Sequence, residues 1–561
     1  MSKKKILVCS EASYLHSGFG TYANELLTRL HATDKYELAE FASYGIVNDE
    51  RDKDIKWRYY ANFIKPDDPR MGAYSQFELN QFGMWRFERV ALDFKPDIVI
   101  GYRDYWMDSF VNESPLRPYF HWIISPTVDS APQKESWIST YMDADGVMPY
   151  SDYGSMVLEK EGFGKINLHK SNMPGVDINV FTPIEDFREK RKEFGLPPDI
   201  NIIGTVMRNQ KRKYYDDLIK SFEGFLQYCL DNGQKELANK TYLYIHTSYP
   251  DMNGWDIPRI LKETSISHKI IFTYMCKRCK QPFCSFFQDG RTVCSHCKQV
   301  SAMMPSVGEG ISREQLATIY NTFDLYVQYA NCEGLGMPAV EAASCGVPIM
   351  EVNYSAMESV LKVLDGIPID KTMYRELESH SYRAQPDNED FIQKLYKFFT
   401  VSDNSPENKM KRRQLTRKLV EENFSWDANA KKWENYLDSV VLKDKQGKWD
   451  SPLNLYNPAT QMPENMTNLQ FVRWVINDVW GKPDKVHSLM ALQMLRDLNF
   501  GVVSQGGKLQ PIERDQIFRS MLKRVENNNL CERGRCGLIP LTQDDYINYA
   551  NIKERANEAS K

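Results

Sequence analysis

The 561-residue chain lacks any apolar run approaching the ~20 residues that a membrane-spanning helix needs. It also lacks a decided charge. A formal net charge of −4 gives no whole-protein attraction to nucleic acid or to an anionic membrane, and leaves local basic patches as the electrostatic route to either. A secretory leader is not evident, because Met1-Ser2-Lys3-Lys4-Lys5 precedes only the short apolar Ile6-Leu7-Val8-Cys9. A cytosolic protein is therefore expected. What is present is ordinary: 42% hydrophobic and 26% charged residues suit a soluble globular protein. The length exceeds one core and suggests three or four units at roughly 100–200 residues each.

Eleven cysteines would be many for disulfides in a reducing compartment, but five of them fall between Cys276 and Cys297. Cys276-Lys277-Arg278-Cys279 and Cys294-Ser295-His296-Cys297 are two CxxC pairs with 14 residues between them, the spacing of a zinc ribbon. Each pair forms a knuckle, and four thiolates complete a tetrahedral shell. Structural zinc is assigned to Cys276, Cys279, Cys294 and Cys297, with Cys284 or His296 as the alternates for one ligand. The insert, residues 275–310, has few aliphatic side chains and needs such a staple to fold. A closed shell has no open coordination position, so the zinc is not read as catalytic. Lys277, Arg278, Lys280, Arg291 and Lys298 make the insert basic, and Phe283, Phe286 and Phe287 make it aromatic. Such a surface suits nucleic acid, and a ribbon that only braces a loop or a subunit contact is equally in play.

The most informative stretch is Asn331-Cys332-Glu333-Gly334-Leu335-Gly336-Met337-Pro338-Ala339-Val340-Glu341-Ala342-Ala343-Ser344-Cys345-Gly346-Val347-Pro348. It follows the strand-like 325–329 and precedes a second apolar run, so it reads as strand, glycine turn, helix and strand in a parallel α/β sheet. Gly334 and Gly336 let the backbone approach a ligand, and the helix offers its positive N-terminal end to a phosphate. A second glycine turn, Ser17-Gly18-Phe19-Gly20, follows a first strand at 5–10 and leads into a helix at 21–30, as in a Rossmann-like unit.

The Glu333-x7-Glu341 string resembles the signature of retaining glycosyltransferases of family 4, which have the GT-B fold. The resemblance covers roughly residues 5–440, interrupted by the insert, and implies an α/β chain of two Rossmann-like domains facing a cleft. The boundaries drawn are 1–180 for an acceptor-side domain and 181–440 for a nucleotide-sugar domain. The zinc-ribbon insert lies within the latter, and an α-helical appendage follows at 445–561. The interdomain segment is Met173-Pro174-Gly175-Val176-Asp177 with the exit Phe181-Thr182-Pro183.

Residue roles follow from the same resemblance. Glu341 is expected to bind the ribose hydroxyls and Glu333 the donor sugar. Arg208 and Lys213 are expected to hold the diphosphate, Lys211 being the rival for the lysine. Gly334, Leu335 and Gly336 line the donor, and Gly18 and Gly20 face the diphosphate from the first loop. The strand read at 119–129 closes on Asp129, taken as the cleft residue in place of the histidine that many members carry there; His121 is read as a core histidine. Tyr102-Arg103-Asp104-Tyr105-Trp106 are acceptor-side candidates, with a packed, salt-bridged loop as the plainer reading. The stretch Glu351-Val352-Asn353-Tyr354-Ser355-Ala356-Met357-Glu358 stands where the family has a glycine-rich turn over the donor and lacks its glycines. The basic helix at 409–418 is read as a solvated face.

The resemblance implies a nucleotide diphosphate sugar as donor and no catalytic metal. The acceptor is left among three readings. Family 4-like enzymes of tailed phages include some thought to glycosylate hydroxylated pyrimidines in DNA, which would place the protein in a host cytoplasm. Glycan or cell-envelope polysaccharide synthesis is the commoner family role. A catalytically silent scaffold is the third. Beyond 445, helical spacing at 469–480, 485–498, 512–525 and 543–557 suggests helices that cap the enzyme, hold the acceptor or mediate oligomerisation.

Overall fold

The computed structural model describes residues 3–443 apart from 16, 76–77, 115, 253, 307–309 and 402–404, then 465–474 and the short pieces 502–503, 509–510, 514 and 546–547. Its N-terminal sheet contains β1 (Lys4–Glu11), β2 (Tyr36–Ser43), β3 (Arg58–Ala61), β4 (Ile98–Gly101), β5 (His121–Ile124) and β6 (Gly146–Val147), all parallel, in the order 3-2-1-4-5-6. The second sheet repeats that order with β9 (Ile270–Cys276), β8 (Thr241–His246), β7 (Asn201–Val206), β13 (Leu325–Gln328), β14 (Ile349–Val352) and β15 (Ile367–Ile369). Strands covered by helices on both faces read as continuous apolar runs, and Ile6, Leu7, Val8 and Cys9 of β1 are fully buried. In each sheet the order reverses between the first and fourth strands, where loops at the carboxyl ends part to form a crevice.

The insert grows out of β9. Strands β10 (Pro282–Phe286) and β12 (Val300–Met303) pair antiparallel with β9, and β11 (Thr292–Val293) pairs with β12. A hairpin, β16 (Lys371–Arg375) and β17 (Tyr382–Pro386), follows β15.

After residue 423 the chain crosses back to the first domain. Helix Trp426–Ser439 packs on helix Gly18–Ala32, whose buried face is Gly20, Tyr22, Ala23, Leu26, Leu27 and Leu30. Trp433 is buried and its indole donates to the Tyr22 hydroxyl at 2.8 Å, which Asn429 also reaches at 3.2 Å.

Three expectations change. The strand read at 119–129 ends at Ile124: Pro126 has no amide hydrogen to continue the ladder, so Asp129 stands on a loop. The basic helix, observed at Pro406–Asn423, is not simply a solvated face. Arg413 is buried and donates to the carbonyls of Phe323 (3.2 Å) and Cys345 (2.9 Å), while Arg417 donates to those of Phe181 (2.6 Å) and Ser344 (2.8 Å). In the extension, Asn468–Trp474 is helical, but Tyr546–Ile547 is a strand pairing antiparallel with β3 where 543–557 reads as helix. The open edge of β3 supplies backbone partners there, and tertiary pairing outweighs local spacing. The expected helix at 485–498, and 475–480 and most of 512–525, lie outside the described residues.

Candidate active site

The glycine turn forms the centre of the second crevice. Gly336, at φ +91°, takes the left-handed conformation that turns the chain into helix Met337–Ser344, with Pro338 in its first turn where a missing amide hydrogen costs nothing. Glu333 is buried just before it. Its Oε1 accepts from Gln328 Nε2 at 2.6 Å and lies against the Lys213 ammonium; its Oε2 accepts from Arg212 Nη1 at 2.9 Å. The backbone of Glu333 is held as well: its amide donates to Ser355 Oγ at 2.9 Å, and Ser355 Oγ donates to its carbonyl at 3.1 Å. Ser355 sits at φ +57°, in the place where the family's glycine turn was missed. A non-glycine residue in such a conformation stores roughly 1–3 kcal/mol, so the serine's grip on Glu333 is obtained against strain.

The cations come from the turn after β7, Lys211–Lys213. Lys213 is buried and Lys211 exposed, and of these two lysines only Lys213 reaches Glu333. Burial pushes the Lys213 pKa well down and Arg212 beside it adds to that, so its charge depends on carboxylates close by, with Glu333 against it and Glu351 opposing the shift. Arg208, half-exposed, donates to Asp251 at 3.0 Å and stands apart from Glu333's partners.

Glu341, one helix face along, accepts from the Tyr320 hydroxyl at 2.8 Å. Burial raises its pKa to about 7, with Tyr320 and Arg313 opposing the shift. Leu335 is buried in the apolar cluster beneath the turn. Gly334 meets the other domain at Thr127, whose Cβ would lie 2.8 Å from a β-carbon at 334.

From the N-terminal domain, Asp129 lies beside the start of the glycine turn: Arg383 of β17 donates to its Oδ1 at 2.9 Å and the Cys332 thiol to its Oδ2 at 3.2 Å. Asp104 is bound by the Thr127 hydroxyl; burial raises its pKa and Asp129 nearby adds to the rise, while Thr127 and Arg212 oppose it. Tyr102 and Arg103 are fully buried, Arg103 in an ion pair with Asp108, so the plainer packed-loop reading holds for these two. His121 lies at the start of β5, away from the crevice end, within 3.3 Å of the Tyr436 hydroxyl. Gly18 opens the first helix and the Gly20 amide donates to the Ser17 cap at 3.0 Å.

In the insert, Cys276, Cys279, Cys294 and Cys297 bring their sulfurs within 4.8 Å of one another. Cys276 to Cys297 is 3.6 Å and Cys279 to Cys294 is 3.7 Å. Metal–sulfur bonds of about 2.3 Å in a tetrahedron place sulfurs about 3.8 Å apart, so the cluster is shaped to hold one ion. The alternates are occupied elsewhere: the Cys284 thiol faces the Phe194 carbonyl at 3.0 Å and His296 Nε2 the Pro282 carbonyl at 3.1 Å. Of the three phenylalanines, Phe283 is buried against Tyr274 and Phe287 packs on Tyr249 and Phe272, leaving Phe286 as the exposed ring.

Arg212, Ser355 and Arg383 join the site without having been singled out from sequence. Arg212 sits in a run of three cations whose order does not say which one turns inward. Arg383 arrives from a hairpin distant in sequence.

Two parallel 3-2-1-4-5-6 sheets facing across this crevice form an α/β fold of the GT-B kind. Sucrose-phosphate synthase from Thermosynechococcus elongatus has it with a TM-score of 0.56 at 15% identity, over 78% of this chain and 98% of that one. Anabaena Alr3699/HepE in complex with UDP and glucose has it with a TM-score of 0.52 at 10% identity, over 78% and 100%. At these identities the likeness shows the fold. Residues 306–378, which hold Glu333 and Glu341, match the family model described as Glycosyl transferases group 1. D-inositol 3-phosphate glycosyltransferase of Mycobacteroides abscessus is 26% identical over 177 residues, 32% of this chain and 30% of the relative, so the match spans under a third of that relative's length. These findings support a glycosyltransferase. Among the described residues no helix is long and apolar enough to cross a membrane.

Proposed function

We propose that the chain is a retaining, family 4-like glycosyltransferase that moves a sugar from a nucleotide diphosphate sugar to an acceptor hydroxyl. The observation that carries this reading is Glu333 held between Lys213 and Arg212 at a glycine turn, directly ahead of a helix N-terminus. As the glycosidic bond breaks, negative charge grows on the departing diphosphate. Fixed cations in a water-poor crevice stabilise that charge without reorganising, and losing one typically costs about 2.7–4 kcal/mol of barrier. Lys213 and Arg212 take this role, with Arg208 at the rim. Glu333 meets the donor sugar and Glu341 accepts from the ribose hydroxyls. The UDP and glucose bound by the Anabaena neighbour support a uridine-type donor. The four-cysteine cluster holds structural zinc, and the chemistry needs no catalytic metal.

For the acceptor, Lys277, Arg278, Lys280, Arg291 and Lys298 are all exposed on the insert, a charge pattern that suits the phosphates of DNA; the hydroxymethylated pyrimidine comes from the resemblance to tailed-phage members. With a single exposed phenylalanine, the grip is electrostatic rather than by stacking. The experiment is nucleoside diphosphate release from a panel of nucleotide sugars with hydroxymethylated DNA, unmodified DNA and no acceptor in parallel. Release stimulated only by hydroxymethylated DNA is expected. Turnover indifferent to DNA would move the acceptor to a glycan, and no turnover of any donor would leave an interaction scaffold.

A further inference from the structure

Glu351 lies in β14 beside Gln328 of β13, its register partner, and is fully buried. Both of its carboxyl oxygens are buried without a hydrogen-bond partner. A buried polar group in that state costs free energy that folding alone does not recover, so it calls for an explanation. Its position supplies one. A β-carbon at Gly336 would stand 3.6 Å from Glu351 Oε1 and 3.8 Å from Glu333 Cγ, so the carboxyl lies under the same glycine turn as Glu333. The ionisable groups that face it are Lys213 from the turn after β7, Tyr326 from β13 and Glu333 from the glycine turn. Tyr326 is engaged by Gln328 and by the Val206 carbonyl at 3.2 Å, and Glu333 by its own cations. Lys213, now paired with Glu333, is the cation whose charge also acts on Glu351.

We propose that Glu351 is a positioning residue of the donor site, which takes over as the fixed acidic partner of Lys213 when the donor sugar draws Glu333 away from it. A buried lysine keeps its proton only while negative charge stays close. In the structure Glu333 supplies that charge, while burial pushes the Glu351 pKa well up against the pull of Lys213. Once Glu333 turns to the sugar, Glu351 and the arriving diphosphate hold Lys213 cationic between them. The inference rests on the reading of this crevice as a nucleotide diphosphate site and adds a residue to it.

The test is calorimetric binding of uridine, guanosine and adenosine diphosphates, alone and as their glucose conjugates, to the full chain between pH 6 and 10. For Glu351→Gln, conjugate affinity is expected to match wild type near pH 6. It falls about tenfold by pH 8.5, with the alkaline limb moved down by about one unit, the size of a tenfold change. A limb unchanged from wild type overturns the proposal, and so does a loss equal at every pH, which marks a packing defect. Should Glu351→Gln not fold, Glu351→Asp carries the test: a smaller shift of the limb in the same direction is expected, and no shift refutes it. Absence of any nucleotide binding by the wild type would overturn the donor-site reading itself, an outcome distinct from a bound nucleotide that ignores Glu351.

Discussion

Gly334 of the second domain rests on Thr127 of the first, so closely that a β-carbon at 334 would stand 2.8 Å from Thr127 Cβ. The same N-terminal loop is held two residues on by Arg383 on Asp129 at 2.9 Å, and beyond that by the Tyr382 amide on the Ala131 carbonyl at 2.8 Å. The crevice is therefore closed by contacts made from the glycine turn and the β16–β17 hairpin.

Gly334→Ala is expected to wedge the domains apart without unfolding either. Transfer should fall at least about tenfold, the effect of a ~1.4 kcal/mol misplacement, while the melting temperature changes little. Thr127→Gly in the same molecule removes the obstructing Cβ and should restore turnover. A single variant with wild-type turnover, or a double variant no better than the single, would show that this contact does not set closure.

Glu333 separates charge from packing. Glu333→Gln keeps a group of the same shape for Gln328 to contact and should lower transfer by orders of magnitude with the fold intact. Glu333→Ala removes the carboxylate that now pairs with buried Lys213 and should destabilise by up to about 3–5 kcal/mol, less to the extent that Glu351 takes its place, read by denaturant unfolding. Arg212→Ala should cost more activity than Lys211→Ala, because Arg212 reaches Glu333 and Lys211 is exposed. Equal losses for the two would refute that assignment.

The fold was legible wherever a local pattern carries its own physics. The apolar run of β1 and the glycine turn into helix Met337–Ser344 each appear where their spacing puts them. The two CxxC pairs meet for the same reason, since each knuckle is a local turn. What sequence could not give depends on distant partners. Arg413 and Arg417 belong to a run that looks solvated, yet carbonyls of Phe181, Phe323, Ser344 and Cys345 draw them inward. Ser355 holds Glu333 in a backbone conformation that a glycine would suit better, so its residue type concealed the turn.

Glu341 gives a pH dependence with a definite sign. Burial raises its pKa to about 7, so the neutral form is favoured over the carboxylate that would accept from ribose hydroxyls. Nucleoside diphosphate affinity should therefore increase as pH rises from about 6 to 8. The stability contribution runs the other way. It is fully present below the unfolded carboxyl's pKa and is lost as pH rises through the folded value near 7. Tyr320 donates to the charged form, so Tyr320→Phe should move the binding midpoint to higher pH, and Glu341→Gln should flatten the profile. A wild-type midpoint that Tyr320→Phe leaves in place would remove Glu341 from ribose binding.

The four-cysteine cluster should bind one zinc per chain, measured by atomic absorption, and its loss should be felt at the nucleotide rather than at the reacting bond. The path is short. Gln315 Nε2 donates to the Lys280 carbonyl of the insert at 3.0 Å, from the first turn of helix Arg313–Asn321, and the same helix carries Tyr320 to Glu341. Chelation, or Cys279→Ser, releases the knuckle around Lys280 and loosens that helix at its start. The expected result is protease cleavage within 276–303, a lower melting temperature and a several-fold higher KM for the donor, with kcat changed less. Metal-free protein that resists cleavage and keeps its donor KM would show that the cluster neither holds the insert together nor reaches the site; a loss confined to kcat would break the link through Tyr320.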